Sequence, residues 1–156
     1  NTVDISLEKG NIREAIIEAV GLIYEKAEKK QIELSLCEEK DIYLLYHRKW
    51  MVEVLVNILE NAIKYNHPGG QVTVRASRKE KRVCLSVADT GNGIQEELRE
   101  RVFEPFFRVD KSRSRALGGV GLGLALVHEI VRVHDGSITV RSNSHGGTVF
   151  EVIFMQ

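Results

Sequence analysis

Three stretches of the sequence carry apolar residues at the three-to-four-residue spacing of an amphipathic helix. The first covers residues 11–30, with Asn11 as a candidate N-cap. The second runs from about Arg48 to Lys64 and stops at the turn-forming residues 66–70. The third covers about 121–134. Each of these helices would have one apolar face to bury against another layer.

Shorter stretches alternate apolar and polar residues, which is typical of half-buried strands. The predicted strands are 32–36, 42–46, 72–76, 83–87, 137–143 and 148–154. The third and fourth form one hairpin, and the last two form another. A short helix is predicted near 95–102. Long helices mixed with hairpins favour an α+β two-layer sandwich over a doubly wound parallel sheet.

Length and charge limit the classes of function. The 156 residues fit one domain, and 22 Lys and Arg balance 22 Asp and Glu, so no overall field draws the chain to nucleic acid or an anionic membrane. No run of 18 apolar residues and no secretion leader occurs. Cys37 and Cys84 lie in apolar alternating stretches, which favours reduced, buried thiols of a cytosolic domain. The missing initiator Met suggests a fragment of a longer chain.

The second helix carries a polar stripe along one side. Its members fall within an arc of roughly 100° at 100° per residue. Such a stripe can simply face water. However, two Asn in mid-helix are poor helix formers. Amide oxygens one turn apart suit a hard cation that keeps some of its water, and a nearby lysine suits phosphate. The stripe consists of Glu53, Asn57, Glu60, Asn61 and Lys64.

A turn-rich segment begins at Asp89, directly after a predicted strand, and reads Asp-Thr-Gly-Asn-Gly through Gly93. An ordinary β-turn is one interpretation. An aspartic protease site would need a second carboxylate beside the first, and the chain has no second copy of the motif. The other interpretation is a carboxylate that accepts the exocyclic amine of adenine and repels guanine.

Glycines 118–123 lead into the third helix, where backbone amides and the helix N-terminus can approach an anion. The segment lacks the Gly-Lys-Ser/Thr of a P-loop and the spacing of a dinucleotide fingerprint. Residues 103–108 hold three of the five Phe, and the basic segment from about 108 to 118 suggests a flap that closes over phosphate. Residues 145–148 are most simply a hairpin turn.

Taken in order and spacing, these patterns closely resemble the ATP-binding catalytic domain of bacterial sensor histidine kinases, in the GHKL superfamily. Asn57–Tyr65 resembles the N box, and Asp89–Gly93 resembles the first glycine box. Phe103–Arg108 resembles the F box, and Gly119–Gly123 the second glycine box. Gly146–Thr148 matches the last short glycine motif. The resemblance covers nearly the whole chain.

The resemblance implies a Bergerat fold, with a mixed sheet of about five strands on about three helices, in one domain over residues 1–156. It implies ATP and Mg²⁺ as cofactors and a lid at about 108–120. Asn61 would ligate Mg²⁺, and Asp89 would bind adenine. The implied catalytic residues are Asn57, Asn61, Lys64 and Arg108. The implied nucleotide-binding residues are Asn57, Asn61, Lys64, Tyr65, Asp89, Gly91, Gly93, Ile94, Gly119, Val120, Gly121, Leu122, Gly123, Leu124 and Thr148.

One departure from the superfamily bears on the reaction. ATP-hydrolysing relatives carry a glutamate general base four residues before the metal-binding Asn, where this chain has Asn57. An amide cannot take a proton from water. We therefore expect slow hydrolysis and transfer of the γ-phosphoryl group to an imidazole. His128 lies in the third helix without the Thr-Pro of a phosphoacceptor motif, and we interpret it as a surface or packing residue.

The implied partners are the chain's own dimerisation domain, which bears the phosphoacceptor histidine, and a cognate response regulator. No nucleic acid and no direct membrane contact by this domain is expected. The domain would be cytoplasmic, and the full-length protein would be anchored in the bacterial inner membrane. Two alternatives stay open: a nucleotide-binding interaction module without kinase activity, and a serine kinase of the anti-sigma-factor type.

Overall fold

The computed structural model describes residues 6–37, 40–105 and 123–156. Within these ranges the α-helices are α1 (Ile12–Lys29), α2 (Arg48–Lys64) and α3 (Gly123–Val133). Two single-turn 3₁₀ helices cover Glu96–Leu98 and Arg101–Phe103. The strands are β1 (Glu8–Asn11), β2 (Glu33–Cys37), β3 (Tyr43–Tyr46), β4 (Gln71–Lys79), β5 (Arg82–Asp89), β6 (Ser137–Ser142) and β7 (Thr148–Met155).

The main sheet has five strands in the order β2-β4-β5-β7-β6. β2 runs parallel to β4, and every other neighbouring pair is antiparallel, so the sheet is mixed. Both predicted hairpins are present, and Val74 lies opposite Val87 in the first of them. Helices cover one face of this sheet. The α+β two-layer sandwich is therefore confirmed.

The core lies between the helices and the sheet. On β5 the buried side chains of Val83, Leu85 and Val87 alternate with half-buried residues on the opposite face. They join a single apolar cluster with the buried residues of α1, α2 and α3. The apolar side of α2 is buried as its spacing predicts. Its buried residues are Met51, Val52, Val54, Leu55, Ile58, Leu59, Ala62 and Ile63.

Three details differ from the sequence analysis. The predicted strands at 32–36 and 42–46 belong to different sheets, because β2 joins the main sheet while β3 pairs with β1 in a separate two-stranded sheet. The sequence Glu-Lys-Gly-Asn of β1 has no apolar alternation, and β1 was not predicted. The predicted short helix near 95–102 is two 3₁₀ turns. Our expectations for residues 1–5 and 106–122 lie outside the described residues.

The cysteines and the membrane prediction have clear outcomes. Both Cys37 and Cys84 are free thiols, but they are half-buried rather than fully buried. Burial, with a contribution from Glu151, raises the pKa of Cys84 to about 11. That thiol therefore stays protonated at neutral pH. Within residues 6–37, 40–105 and 123–156, no helix has the length and apolar character needed to cross a bilayer.

Two histidines hold the N-terminus of α2. The Nδ1 atom of His47 accepts a hydrogen bond from the Trp50 amide at 3.2 Å, as an N-cap. The His47 amide in turn donates to Nε2 of His134 at 3.1 Å. Nδ1 of His134 lies 2.8 Å from the Ile130 carbonyl oxygen. His134 can serve both partners only as a neutral imidazole, with its proton on Nδ1.

The C-terminus of α2 is held by Lys30, the C-cap residue of α1. Nζ of Lys30 donates to the carbonyl oxygens of Ile63 at 2.9 Å and Lys64 at 2.8 Å. These carbonyls belong to the last turn of α2, where the amide four residues further on no longer continues the helix. The Ile63 carbonyl also accepts from the Asn66 amide at 3.2 Å. A cation there also interacts favourably with the helix dipole. Both ends of α2 are thus fixed to neighbouring elements.

The state of His134 predicts how stability depends on pH. Burial lowers the pKa of His134. The unfolded chain therefore binds a proton at this residue from about pH 6.5 downward while the native state stays neutral, so stability is lost as pH falls below that value. We expect the urea midpoint to fall less between pH 7.5 and 5.5 in His134→Gln than in the wild type, although the variant is less stable at both pH values. An identical fall in both proteins would contradict this account.

Candidate functional site

Asp89 is the last residue of β5, and its side chain is held by the backbone. Oδ1 accepts hydrogen bonds from the amides of Gly91 at 2.8 Å and Thr148 at 3.2 Å. The residue is only 7% exposed. Oδ2 receives no hydrogen bond from the described part of the chain. One oxygen thus fixes the orientation of the carboxylate, and the other stays free to accept a donor from a ligand.

The position of Asp89 has an energetic cost. Burial raises the pKa of this carboxyl group, although the two backbone amides act in the opposite direction. A carboxylate that has lost water gains strongly from any additional hydrogen-bond donor. The arrangement therefore favours a ligand with an N–H group directed at Oδ2.

The turn before β7 packs directly on Asp89. Gly147 has φ +101°, and a Cβ atom there would lie 2.0 Å from the Asp89 carbonyl oxygen. That same oxygen accepts a hydrogen bond from Nδ2 of Asn143 at 2.9 Å. Residues 145–147 lie in the turn between β6 and β7, as expected, and Thr148 is the first residue of β7. The turn between β6 and β7 therefore packs against the Asp89 backbone and limits its movement.

Gly91 and Gly93 let the chain after Asp89 pack closely. A Cβ atom at Gly91 would lie 2.5 Å from the Tyr65 carbonyl oxygen. The Asn92 amide donates to that carbonyl at 3.2 Å. Gly93 has φ +76°, a conformation that favours glycine. The turn therefore rests on the end of α2, and this contact brings Asp89 and the polar side of α2 into one region.

The two asparagines of α2 use their amide groups in the same way. Nδ2 of Asn57 donates to the Glu53 carbonyl at 2.8 Å, and Nδ2 of Asn61 donates to the Asn57 carbonyl at 3.1 Å. Each amide therefore keeps its oxygen as the available acceptor. Nζ of Lys64 lies 5.9 Å from the ring centroid of Tyr65. The last two turns of α2 thus present two neutral oxygens and one cation.

One member of the predicted stripe faces elsewhere. Oε2 of Glu60 lies 2.7 Å from Nζ of Lys26 in α1. This ion pair connects α2 with its neighbouring helix. Glu60 therefore belongs to the contact between the helices rather than to the candidate site.

The first residue of α3 meets α2 at Asn57. A Cβ atom at Gly123 would lie 2.8 Å from Asn57 Oδ1, so only glycine fits without displacing that side chain. Leu124, the next residue, is half-buried and packs against the core. The N-terminus of an α-helix therefore lies beside an amide oxygen of the predicted site. The predicted site residues outside the described ranges are Arg108, Gly119, Val120, Gly121 and Leu122, together with the lid at about 108–120.

The described part of the F box packs against the sheet. The ring of Phe103 lies 6.2 Å from that of Phe150, edge to face, and 5.6 Å from that of His128. His128 is exposed except for this contact, so it is a surface and packing residue as expected. Ile94 is half-buried against the core, and its carbonyl accepts from Nε of Arg99 at 3.2 Å.

Three residues with roles at the site were missed from the sequence. Asn143 supports the Asp89 carbonyl, Arg99 fixes Ile94, and Asn66 lies buried behind the Asp89 turn. Asn143 and Asn66 were placed only in turn or stop segments, where Asn is common. The sequence shows only that these two positions are Asn; their burial is visible only in the structure. The partners are distant in sequence, so their pairing could not be predicted.

The described ranges contain no group of three or more His, Cys, Asp or Glu side chains that could hold a metal ion. A resident metal cage of that kind is therefore not built from residues 6–37, 40–105 and 123–156. The oxygen donors at the site are amides and one carboxylate.

The fold and this site define an ATP-binding domain of the GHKL type, and comparison with known proteins agrees. Residues 46–156 match the sequence profile of the histidine kinase-, DNA gyrase B- and HSP90-like ATPases. The match covers more than half of the chain. The chain belongs to this family.

Individual relatives are sensor histidine kinases. The chain is 38% identical over 135 residues to the sensor-like histidine kinase SenX3 of Mycobacterium tuberculosis, which covers 86% of this chain and 33% of SenX3. The chain thus spans about a third of the length of that relative. The catalytic domain of the histidine kinase ThkA has a similar structure, with a TM-score of 0.85 and 28% identity over 97% of this chain and 96% of ThkA's domain.

Two further solved structures contain a partner or a ligand. ThkA in complex with the response regulator TrrA aligns with a TM-score of 0.80 and 27% identity, covering 96% of this chain and 41% of that one. Full-length ShkA in complex with AMPPNP aligns with a TM-score of 0.82 and 29% identity, covering 98% of this chain and 32% of that one. These neighbours place the chain among histidine kinase catalytic domains.

The contact between Gly147 and Asp89 predicts a pair of unequal substitutions. Gly146 and Gly147 both have positive φ, but a Cβ atom at Gly146 meets nothing within 4 Å. Gly146→Ala should cost about 1 to 2 kcal/mol of stability through backbone strain alone. Gly147→Ala should cost more than about 3 kcal/mol because its Cβ overlaps the Asp89 carbonyl. Urea unfolding of both variants measures the difference, and equal losses would show that the close approach is unimportant.

Proposed function

We propose that this domain binds Mg-ATP and transfers its γ-phosphoryl group to a histidine on the dimerisation domain of the same sensor kinase. The observation that carries the proposal is the geometry of Asp89, with one carboxylate oxygen fixed by backbone amides and the other free. Membership of an ATPase family supports ATP as the bound nucleotide. Because the chain spans about a third of SenX3, the activity of a whole kinase is part of the proposal.

Base selection follows from the acceptor character of Asp89. The exocyclic amine of adenine donates to Oδ2, whereas the oxygen of guanine at that position would be repelled by the carboxylate. Thr148 contributes its amide to the orientation of Oδ1, and Ile94 supplies an apolar surface near the turn. Tyr65 flanks the nucleotide at the end of α2. These residues bind and orient the base.

The phosphate side is formed by α2 and the start of α3. A Mg²⁺ ion would be held by Oδ1 of Asn61, together with phosphate oxygens and water, which fits the preference of this ion for few protein ligands. When bound, the ion neutralises charge that develops on the phosphates. Asn57 and Lys64 contact phosphate oxygens, and the N-terminus of α3 at Gly123 adds a favourable dipole.

The lid and the second glycine box complete this proposal. Gly119, Gly121 and Gly123 let backbone amides approach the triphosphate, with Val120, Leu122 and Leu124 between them. Arg108 contacts the γ-phosphate. By its resemblance to the family, we assign the role of a lid over the phosphates to residues of about 108–120, which lie outside the described residues; a lid that excludes water would limit hydrolysis.

The transfer itself needs positioning more than acid-base chemistry. A neutral imidazole nitrogen attacks the γ-phosphorus, a P–N bond forms, and the bond to the β,γ-bridging oxygen breaks to release ADP. Asn57 has no proton-accepting group for activating water, so hydrolysis lacks a general base. The phosphoryl group then passes to an aspartate of a response regulator.

The partners follow from the same proposal. ThkA, a structural neighbour, is solved in complex with a response regulator, which supports a cognate regulator for this chain. The dimerisation domain is the second partner. We place this domain in the cytoplasm of a kinase anchored in the bacterial inner membrane, with no nucleic-acid partner and no direct contact between this domain and the membrane.

Nucleotide binding is tested at Asp89. Wild-type protein should gain roughly 2.7 kcal/mol of stability with ATP at about one hundred times its dissociation constant. Asp89→Asn should lose this gain because the amide cannot accept from adenine in the same way.

Without nucleotide, Asp89→Asn should have a higher urea midpoint at pH 7, because the raised pKa of Asp89 means that its ionisation costs stability as pH rises.

The matched control is Asp135→Asn, which changes an exposed carboxylate outside the site. Its ATP-dependent stabilisation should equal that of the wild type. An ATP shift of wild-type size in Asp89→Asn would remove Asp89 from base recognition.

Phosphoryl transfer is tested in trans on the histidine-bearing dimerisation domain of the full-length kinase. We expect an acid-labile, base-stable phosphohistidine. Asn61→Asp adds a charge beside the phosphates and should slow transfer at least about tenfold, the effect of 1.4 kcal/mol on the barrier. The control Asn11→Asp keeps the N-cap of α1 and should transfer at the wild-type rate.

The alternatives give different products. Label on serine alone would indicate a serine kinase of the anti-sigma-factor type. ATP binding without any label on the dimerisation domain would indicate an interaction module. Either outcome would refute the proposed reaction.

A further inference from the structure

Asn66 is a buried residue whose side-chain nitrogen and oxygen both make hydrogen bonds. It directly follows Tyr65 after the end of α2 and is 2% exposed. Its Nδ2 donates to the Gln71 carbonyl at 3.2 Å, and its Oδ1 accepts from the His67 amide at 2.9 Å. A Cβ atom at Gly70 would lie 2.3 Å from Oδ1 of Asn66, so a side chain at position 70 would overlap the Asn66 amide. Asn66 therefore fixes the loop that joins α2 to β4.

The same set of contacts includes the residue after Asp89. The hydroxyl of Thr90 accepts from the Gln71 amide at 2.9 Å and lies 3.5 Å from Asn66 Oδ1. The Thr90 amide donates to the Gln71 carbonyl at 3.2 Å, the oxygen that Asn66 also contacts. Asn66, Gln71 and Thr90 thus form one connected group. This group joins the end of α2 to the end of β5.

The backbone of residues 65 and 66 supports the turn that follows Asp89. A Cβ atom at Gly91 would lie 3.1 Å from the Cα atom of Asn66 and 2.5 Å from the Tyr65 carbonyl oxygen. A shift of the loop at Asn66 would therefore move this turn. Asp89, which accepts from the Gly91 amide, would move with it.

We propose that Asn66 is a positioning residue, which sets the spacing between the base-binding carboxylate of Asp89 and the phosphate-binding last turn of α2. The inference rests on the proposed function. Asn66 is too deeply buried to contact nucleotide, so it acts through Thr90, Gly91 and the end of α2. The affinity for a ligand that contacts both Asp89 and the last turn of α2 depends on this spacing. The affinity for a ligand that contacts only one of them does not.

The experiment compares one spanning ligand with two fragments. ATP with Mg²⁺, adenosine, and inorganic tripolyphosphate with Mg²⁺ are titrated into the wild type and Asn66→Ala, with binding followed by NMR chemical shifts. In the variant, we expect ATP affinity to fall about tenfold or more, while each fragment changes less than about threefold. A general loss of structure would weaken all three ligands.

Two controls separate positioning from stability. Ile23→Val removes a methyl group from a core residue of α1 and should leave the affinity ratios unchanged. If Asn66→Ala does not fold, Thr90→Val removes the hydroxyl that accepts from Gln71 while keeping the shape of the side chain. Thr90→Ser retains the hydroxyl and should restore the wild-type ratio of ATP to adenosine affinity.

The outcomes distinguish this proposal from the one on which it rests. Equal losses for ATP and both fragments, or no loss for ATP, would overturn the positioning role while the nucleotide site stands. Failure of the wild type to bind ATP at all would overturn both.

Discussion

The site depends on a buried carboxylate that the backbone holds in place. Asp89 loses most of its water at the end of β5, and two backbone amides compensate only one of its oxygens. This geometry brings the final hairpin close to the Asp89 backbone and the turn after β5 close to the Tyr65 backbone. A Cβ atom at Gly147 or Gly91 would overlap these backbone atoms, so both positions need glycine. Gly91 and Gly147 are therefore required by the packing of the protein itself, in addition to any ligand.

Helix α2 belongs both to the hydrophobic core and to the candidate functional site. Its apolar side forms the centre of the core, and its polar side carries Asn57, Asn61 and Lys64. Because both helix ends are fixed, by His47 and His134 at the start and by Lys30 at the end, the polar side has little freedom to rotate. Such rigidity is what transfer by positioning requires, since small displacements of reacting groups reduce rates strongly.

Much of this arrangement was predictable from sequence because it follows local rules. The spacing of apolar residues gave α2 within its observed bounds, and alternation gave both hairpins of the main sheet. Strand β1 was not predictable, since its residues Glu-Lys-Gly-Asn show no apolar alternation and form a strand by pairing with β3. The Lys26–Glu60 pair likewise joins residues 34 positions apart, so an amphipathic stripe could not show that Glu60 leaves the site. Long-range polar contacts, as at Asn66 and Asn143, lie beyond what local pattern encodes.

The two ends of α2 also differ in how they respond to acidity. At the N-terminus, the hydrogen bonds depend on His134, which accepts from the His47 amide only while its imidazole is neutral. Further along the helix, the side chains of Asn57 and Asn61 are carboxamides, which do not ionise in water. Protonation of His134 at low pH would therefore remove the acceptor of the His47 amide and weaken the N-terminal end of α2, while the two carboxamides kept the same charge. A single helix thus combines a pH-sensitive contact at its N-terminal end with two amide side chains whose charge does not change with pH.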